Sequence, residues 1–286
     1  MVSYELPHVS VIVPVRNESS IIAENLRVLC DFMKNERYEI LVCDDCSNDG
    51  TREILASVAE KNANVRPLYF RQRIGKGGTI KAALGRAKGE IIVIMDADLA
   101  TDLTHVTDLI GTVESNRALI IGERTVHDKL SQGFTRTILS LGYNSLARLL
   151  FRTGVADHQC GFKGLRSADA RVLFEQVIDN GFLFDTELIL RAKKFGLPIK
   201  RIPVKWKERR PGRKLQLRPL TTTLNMGTGL IALVLRHSPV LSPMKLNPTT
   251  VSSITLNPVT LCGRVYTMLE SWSLTGLQPL HSPSLQ

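Results

Sequence analysis

The sequence predicts an α/β fold: a mostly parallel central sheet with helices on its faces. Four strand-like apolar runs separated by helical patterns occupy the first hundred residues, which argues for helix-covered parallel strands. The run Ile91 to Met95, IIVIM, is apolar at every position, as a strand buried on both faces requires. Carboxylates follow two of these strands, Asp44 and Asp45 after one and Asp96 and Asp98 after another, at the end where parallel sheets place their ligand sites.

Val9 to Val15 reads as the first strand, with Pro14 near its end and VRNES as the turn that follows. From Ser19 to Met33 the apolar residues Ile22, Leu26, Leu29 and Met33 recur at helical spacing. Glu39 to Cys43 supplies the second strand, DDCSNDGT a turn rich in side-chain acceptors, and Thr51 to Ala59 the next helix. Val65 to Phe70 is the third strand and Gly75 to Lys88 a glycine-started helix. The run at Ile91 follows directly. Asp102 and Thr104 begin a helix that runs through Val113, Ala118 to Gly122 is another strand, and Arg136 to Phe151 is helical with a broad apolar surface. DHQCGFK, from Asp157 to Lys163, reads as a turn, Ser167 to Gln176 as a helix, Phe182 to Lys194 as a helix, and Pro198 to Lys205 as a late edge strand. From His237 the composition turns to Pro, Ser and Thr, which predicts a loop or poorly ordered tail. The expected division is therefore one large α/β domain over 1–220. A short apolar segment and the tail fill 221–286, membrane-associated or poorly ordered.

The chain has 286 residues and a formal net charge of +10, which points toward nucleic acid, anionic lipid or a phosphorylated substrate. Only 6% of the residues are aromatic, and Arg and Lys are scattered, so nucleic acid is not expected. Cysteines at 30, 43, 46, 160 and 262 suggest no disulfide framework and a reducing compartment. Met1 to His8 does not read as a signal peptide. No run approaches about 20 apolar residues, and Leu224 to Leu235 spans only about 18 Å as a helix, which suits an interfacial or packed helix.

On an extended segment Asp96 and Asp98 point to one side, so two like charges sit together. They repel unless something positive lies between them, and a divalent cation bound to substrate phosphates meets that need. The dinucleotide fingerprint GxGxxG is missing, as are the complete GxxxxGK[ST] loop, HExxH and any acyl-transfer triad. The IGKGGT turn around Lys76 suits phosphate or sugar contact. The basic loop KERRPGRK after Trp206 suits a clamp on an anionic substrate.

VIVPVRNES, VCDDCSNDGT, GKGG, DADLA, GER, DHQCGFK and FDTEL, in that order and spacing, resemble the family 2 glycosyltransferases of GT-A fold. Among these the chain looks most like the dolichyl-phosphate or polyprenyl-phosphate hexose synthases, and in its motifs the dolichyl-phosphate glucosyltransferase branch. The resemblance runs from about Val9 to Lys214. It implies that Pro14, Arg16, Asn17 and Glu18 form a nucleotide-contacting loop, with Arg16 standing where the family often has Tyr. It further implies that Asp44 and Asp45 recognise the nucleoside, that Lys76 and Gly77 contact the sugar nucleotide, and that Asp96 and Asp98, with Ala97 between them, bind Mg²⁺ or Mn²⁺ and the donor. Mannose-transferring relatives often place Gln where this chain has Ala100, which favours glucose.

By the same resemblance Arg124 and Arg136 bind the lipid phosphate, and Arg209, next to Arg210, belongs to a closing loop. Asp157, Gln159 and Asp185 orient acceptor or hexose. The implied reaction is metal-assisted hexosyl transfer with inversion by direct displacement, from a UDP-hexose, UDP-glucose above all, to polyprenyl or dolichyl phosphate. The expected setting is peripheral, at the cytoplasmic face of an anionic membrane surface. The open alternatives are a GDP-mannose-dependent synthase, a family 2 enzyme with a polysaccharide or protein acceptor, and a non-enzymatic sugar-nucleotide sensor. The oligomeric state is not legible.

Overall fold

A computed structural model describes residues 6–125, 134–181, 183–207, 209, 229–230, 233–234 and 236, with the side chains of 134–139 outside that description. The chain divides into a unit Met1–Leu235 and a unit Arg236–Gln286, and every element below belongs to the first. The strands are β1 (Val9–Val15), β2 (Tyr38–Asp44), β3 (Val65–Tyr69), β4 (Ile91–Ile94), β5 (Leu119–Arg124), β6 (Lys163–Arg166) and β7 (Ile199–Val204). The helices are α1 (Ile22–Met33), α2 (Thr51–Lys61), α3 (Gly75–Leu84), α4 (Thr104–Ser115), α5 (Phe134–Phe151), α6 (Ser167–Gln176) and α7 (Phe184–Lys194).

The sheet order is β3-β2-β1-β4-β6-β5-β7. All pairings are parallel except those of β6, which lies antiparallel to both β4 and β5. The chain moves outward from β1 to β3 and then returns to place β4 on the other side of β1. That reversal makes a switch point, where a crevice opens beyond the carboxyl ends of the strands. Because β6 runs the other way, its first residue, Lys163, stands at the same edge as the last residues of its neighbours.

Alternation along the strands builds two cores. Val9, Val11, Val13, Ile40, Val42, Ile91 and Val93 face one side, against Leu26 and Leu29 of α1, Leu55 of α2 and Val106 of α4. Ile12, Leu41, Ile92 and Ile94 face the other, against Ile80 of α3, Leu173 of α6 and Leu188 of α7. Both faces of the central strands are thus covered, as the uniformly apolar β4 required. A smaller cluster joins Tyr143 and Ala147 of α5 to Leu183, Leu230 and Leu233. Most of the remaining expected tail lies outside the described residues.

Beyond shifted element ends, such as the helix expected over Gly75–Lys88 that stops at Leu84, the sequence reading differs from the structure in two places that bear on the site. DHQCGFK was expected as a turn before the helix at Ser167, with no strand between them, but Lys163 to Arg166 forms a central strand. Asp96 and Asp98 were expected on an extended segment, but β4 stops at Ile94, Ala97 and Asp98 lie in a turn, and Leu99 takes a left-handed φ of +48°. Strand alternation therefore does not orient the two carboxylates; the turn does.

Candidate active site

The carboxyl ends of β1, β2, β4 and β5 and the start of β6 bring most of the expected site residues to one edge of the sheet. Beyond β1, where Pro14 is half-buried, Arg16 and Asn17 are exposed and Asn17 adopts a φ of +53°. The backbone N–H groups of Asn17, Glu18 and Ser19 donate to Ser47 Oγ, Thr51 Oγ1 and Asp49 Oδ2 at 2.9, 3.0 and 3.1 Å, which ties the loop after β1 to the loop after β2. Burial works against ionisation of Asp49, but hydrogen bonds from Thr51 and Ser19 outweigh it and bring its pKa down to about 2.

Asp44 and Asp45 both reach the edge, each already engaged. The fully buried Asp44 accepts from Arg52 Nε at 2.6 Å, and Asp45 accepts from the N–H groups of Ile74 at 2.7 Å and Gly75 at 3.1 Å. Asp45 thereby fixes the turn that opens α3. In that turn Gly75 needs to be glycine, since its φ is +80° and an added Cβ would stand 2.3 Å from the Asn180 carbonyl. Cys43 is buried in β2, where burial pushes its thiol up to about 12, and Cys46 lies in the loop with a φ of +59°.

Lys76 and Asp96 meet directly, Nζ to Oδ1 at 2.8 Å. Burial opposes the ammonium charge, but Asp96 and Asp185 outweigh it and hold Lys76 protonated well above the ordinary lysine range. Asp98 is 5% exposed and accepts from the Ala100 N–H at 3.2 Å, while Asn25 of α1 donates to the Ala97 carbonyl at 2.8 Å. These bonds set the turn that carries both acids.

Arg124, the last residue of β5, grips Asp157 through two N–H groups, Nε to Oδ2 at 2.6 Å and Nη2 to Oδ1 at 2.9 Å. Burial disfavours the guanidinium charge, yet the bonds and charge of Asp157 raise its pKa above the usual arginine value. Its Cζ stands 5.4 Å from the centre of the Trp206 ring. Trp206 is placed there because the segment after β7 pairs with the segment after the acidic turn: Thr101 bridges Trp206, and Lys207 N donates to the Ala100 carbonyl at 2.8 Å. A cavity of about 330 Å³ lies beside Arg124, walled by Leu141, Asn144 and Arg148 of α5 and by Pro203.

Gln159 is half-buried between buried neighbours at 157, 158 and 160. Arg209 is exposed, while Arg210 and the side chain of Arg136 lie outside the described residues. Sequence reasoning did not find three contributors. Gly161 abuts Asp96, Trp206 covers Arg124, and the buried Lys163 binds Asp185 at 2.6 Å. The need of Lys163 for a carboxylate partner follows only once β6 is known to be a buried strand, which the sequence did not signal.

Asp96 and Asp98, two residues apart after β4, carry oxygen donors of the kind a hard divalent cation takes, with the ammonium of Lys76 on Asp96. Among the described residues no group of three His, Cys, Asp or Glu side chains gathers to hold a metal. Such a pair suits a cation that arrives with phosphates.

A model of the family described as Glycosyl transferase family 2 matches residues 10–174. The chain is 29% identical over 298 residues to Glycosyltransferase AglD of Haloferax volcanii, covering 94% of this chain but 47% of that protein, about half its length. It is 31% identical over 247 residues to a dolichyl-phosphate beta-glucosyltransferase of Dictyostelium discoideum, covering 80% of this chain and 75% of that one. Among solved structures, glucosyl-3-phosphoglycerate synthase of Mycobacterium tuberculosis in complex with Mn²⁺ and UDP-glucose superposes with a TM-score of 0.56 at 19% identity, covering 80% of this chain and 78% of the other. That likeness shows the fold, the GT-A architecture expected from the sequence.

Proposed function

Because the chain belongs to glycosyl transferase family 2, we propose that it transfers a hexose, glucose from UDP-glucose, to dolichyl or polyprenyl phosphate, inverting the anomeric carbon by direct displacement. The observation that carries this reading is the juxtaposition at one sheet edge of the Lys76–Asp96 and Arg124–Asp157 pairs. The first suits a donor diphosphate and the second an acceptor phosphate. The relatives named dolichyl-phosphate beta-glucosyltransferase support the choice of sugar and acceptor.

Asp96 and Asp98 would hold Mg²⁺ or Mn²⁺, which when bound offsets the charge that gathers on the nucleoside diphosphate as the glycosidic bond breaks. The loops bearing Arg16, Asn17, Glu18, Asp44 and Asp45 frame the nucleoside. Lys76 moves its ammonium between Asp96 and the donor phosphates, and Gly77, the next residue, lets the turn that carries Lys76 pack against Phe184 of α7. Arg124 has spent two donors on Asp157, and its other N–H groups take an acceptor phosphate oxygen. Asp157 fixes the fork in place and tempers its charge, so that the bound phosphate remains nucleophilic. Since that oxygen is already ionised near neutral pH, no protein group has to remove a proton. Arg136 and Arg209 belong to the same acceptor set, and the catalytic unit of this reading is 1–220.

The acceptor's lipid tail calls for a membrane-facing surface. Leu141, Leu146, Leu149 and Leu150 of α5 are 37, 43, 75 and 38% exposed, with Arg148 beside them and Arg152 just past the helix end. No helix among the described residues is long and apolar enough to cross a membrane. The reading is therefore of a peripheral attachment through α5 at the cytoplasmic face, with leucines at the acyl boundary and arginines among anionic headgroups.

The test is turnover of a panel of UDP- and GDP-sugars with dolichyl phosphate and Mg²⁺ or Mn²⁺, by the wild type and by Asp98→Ala. The expected result is transfer from UDP-glucose, lowered roughly 100-fold or more in the variant. Transfer at wild-type rate by Asp98→Ala, or none from any donor, contradicts the reading.

A further inference from the structure

Lys163 opens β6 with its side chain fully buried, and nothing in the transfer chemistry uses it. Its ammonium donates to Asp185 Oδ1 at 2.6 Å, to the His158 carbonyl at 3.4 Å and, at closer range, to the Cys160 carbonyl. Three donors meet three acceptors, so the buried charge is satisfied. The two carbonyls flank Gln159, one on either side. The same short loop sends Asp157 to Arg124 and lays Gly161 against the Asp96 carboxylate.

Asp185 lies in the first turn of α7 beside Phe184, whose ring sits so close to Gly77 that a Cβ there would stand 2.6 Å from it. One buried ion pair thus fastens the 157–161 loop to α7, and α7 abuts the turn that carries Lys76. Burying a lysine and a carboxylate costs about as much as their attraction returns, and apolar side chains of similar volume serve stability as well or better. The pair therefore needs an explanation other than stability.

We propose that Lys163, anchored by Asp185, is a positioning residue for glycosyl transfer. By clamping the carbonyls on both sides of Gln159 it sets the 157–161 loop, and with it the Arg124–Asp157 fork, at a fixed place relative to Asp96. It touches neither substrate. The inference rests on the glycosyltransferase reading above.

The experiment compares the wild type, Lys163→Met and the double variant Lys163→Met/Asp185→Leu. It reads the melting temperature, the Kd for UDP-glucose with Mn²⁺, and kcat with dolichyl phosphate. The single variant strands a buried carboxylate and melts lower. The double variant, with neither charge, regains the wild-type melting temperature to within a few degrees, yet its kcat stays down about 10- to 100-fold, as expected for displaced reacting groups. Recovery of kcat together with the melting temperature would overturn the proposal, because the pair would then serve the fold alone. Should the double variant not fold, Asp185→Asn keeps an acceptor oxygen for Lys163 while weakening its anchor. A several-fold fall in kcat with the donor Kd unchanged supports the proposal, and a wild-type kcat overturns it. A wild type that transfers nothing is a different outcome, the failure of the glycosyltransferase reading itself.

Discussion

The backbone of Gly161 lies against the carboxylate of Asp96 so closely that a Cβ added at position 161 would stand 2.1 Å from Oδ2 and 2.6 Å from Oδ1. The loop before β6 thus forms one wall of the acidic site, and with Asp96 in this position only a residue without a side chain fits there. In Gly161→Ala the obstructed group is the free end of a side chain, so it swings aside and the fold persists. The variant keeps its melting temperature to within a few degrees, while Mn²⁺ binding in the presence of UDP-glucose weakens about tenfold by calorimetry. An unchanged metal affinity would separate Asp96 from the cation.

Arg124→Lys keeps the charge but loses the two-pronged grip on Asp157 and the planar fork offered to a phosphate. Steady-state kinetics with dolichyl phosphate varied against saturating donor are expected to show kcat/KM for the acceptor reduced about tenfold or more, with the donor Kd little altered. If donor affinity falls instead, Arg124 belongs to the nucleotide side.

The buried His158 has its Nε2 2.8 Å from the Thr153 hydroxyl and no partner at Nδ1. Burial, reinforced by the charge of Lys163, brings its pKa down to about 4 from an ordinary 6.5. The unfolded chain therefore binds a proton at His158 before the folded one does. Its contribution to stability is complete above about pH 6.5 and lost as pH falls toward 4, of order 3 kcal/mol over that window. The melting temperature of the wild type should fall across this window, and that of His158→Gln should fall less. Parallel pH profiles would show that His158 is not held neutral.

The exposed leucines of α5 give the membrane reading its own test. Flotation with phosphatidylserine-containing vesicles is expected to carry the wild type upward and to leave Leu146→Glu/Leu149→Glu below, with the circular dichroism of the two proteins alike. Equal flotation would move the contact to another surface.

The sequence revealed much of this architecture. Val9–Val15 and Ser167–Gln176 match their expected spans, because a continuous apolar run and a helical period are local signals. The edge position expected of β7 also holds, since Pro203 cannot donate to a further neighbour and Lys200 and Arg201 lie exposed on the strand. Strand β6 escaped notice because Lys163-Gly164-Leu165-Arg166 has no β-branched or aromatic residue, and its place between β4 and β5 comes from partners far away in sequence. The acids after β4 were legible as a pair, but their engagement was not. Lys76 with Asp96, Arg124 with Asp157 and Lys163 with Asp185 are all contacts made by the assembled sheet rather than by neighbours along the chain.

Anomalous diffraction at the manganese edge, from crystals grown with UDP-glucose and Mn²⁺, tests the central claim most directly. The account predicts one strong peak within about 2.5 Å of carboxylate oxygens of Asp96 and Asp98, shared with the donor's diphosphate, and Lys76 turned from Asp96 toward phosphate. A peak elsewhere, or a diphosphate bound with Lys76 still on Asp96 and no manganese between the acids, would contradict it.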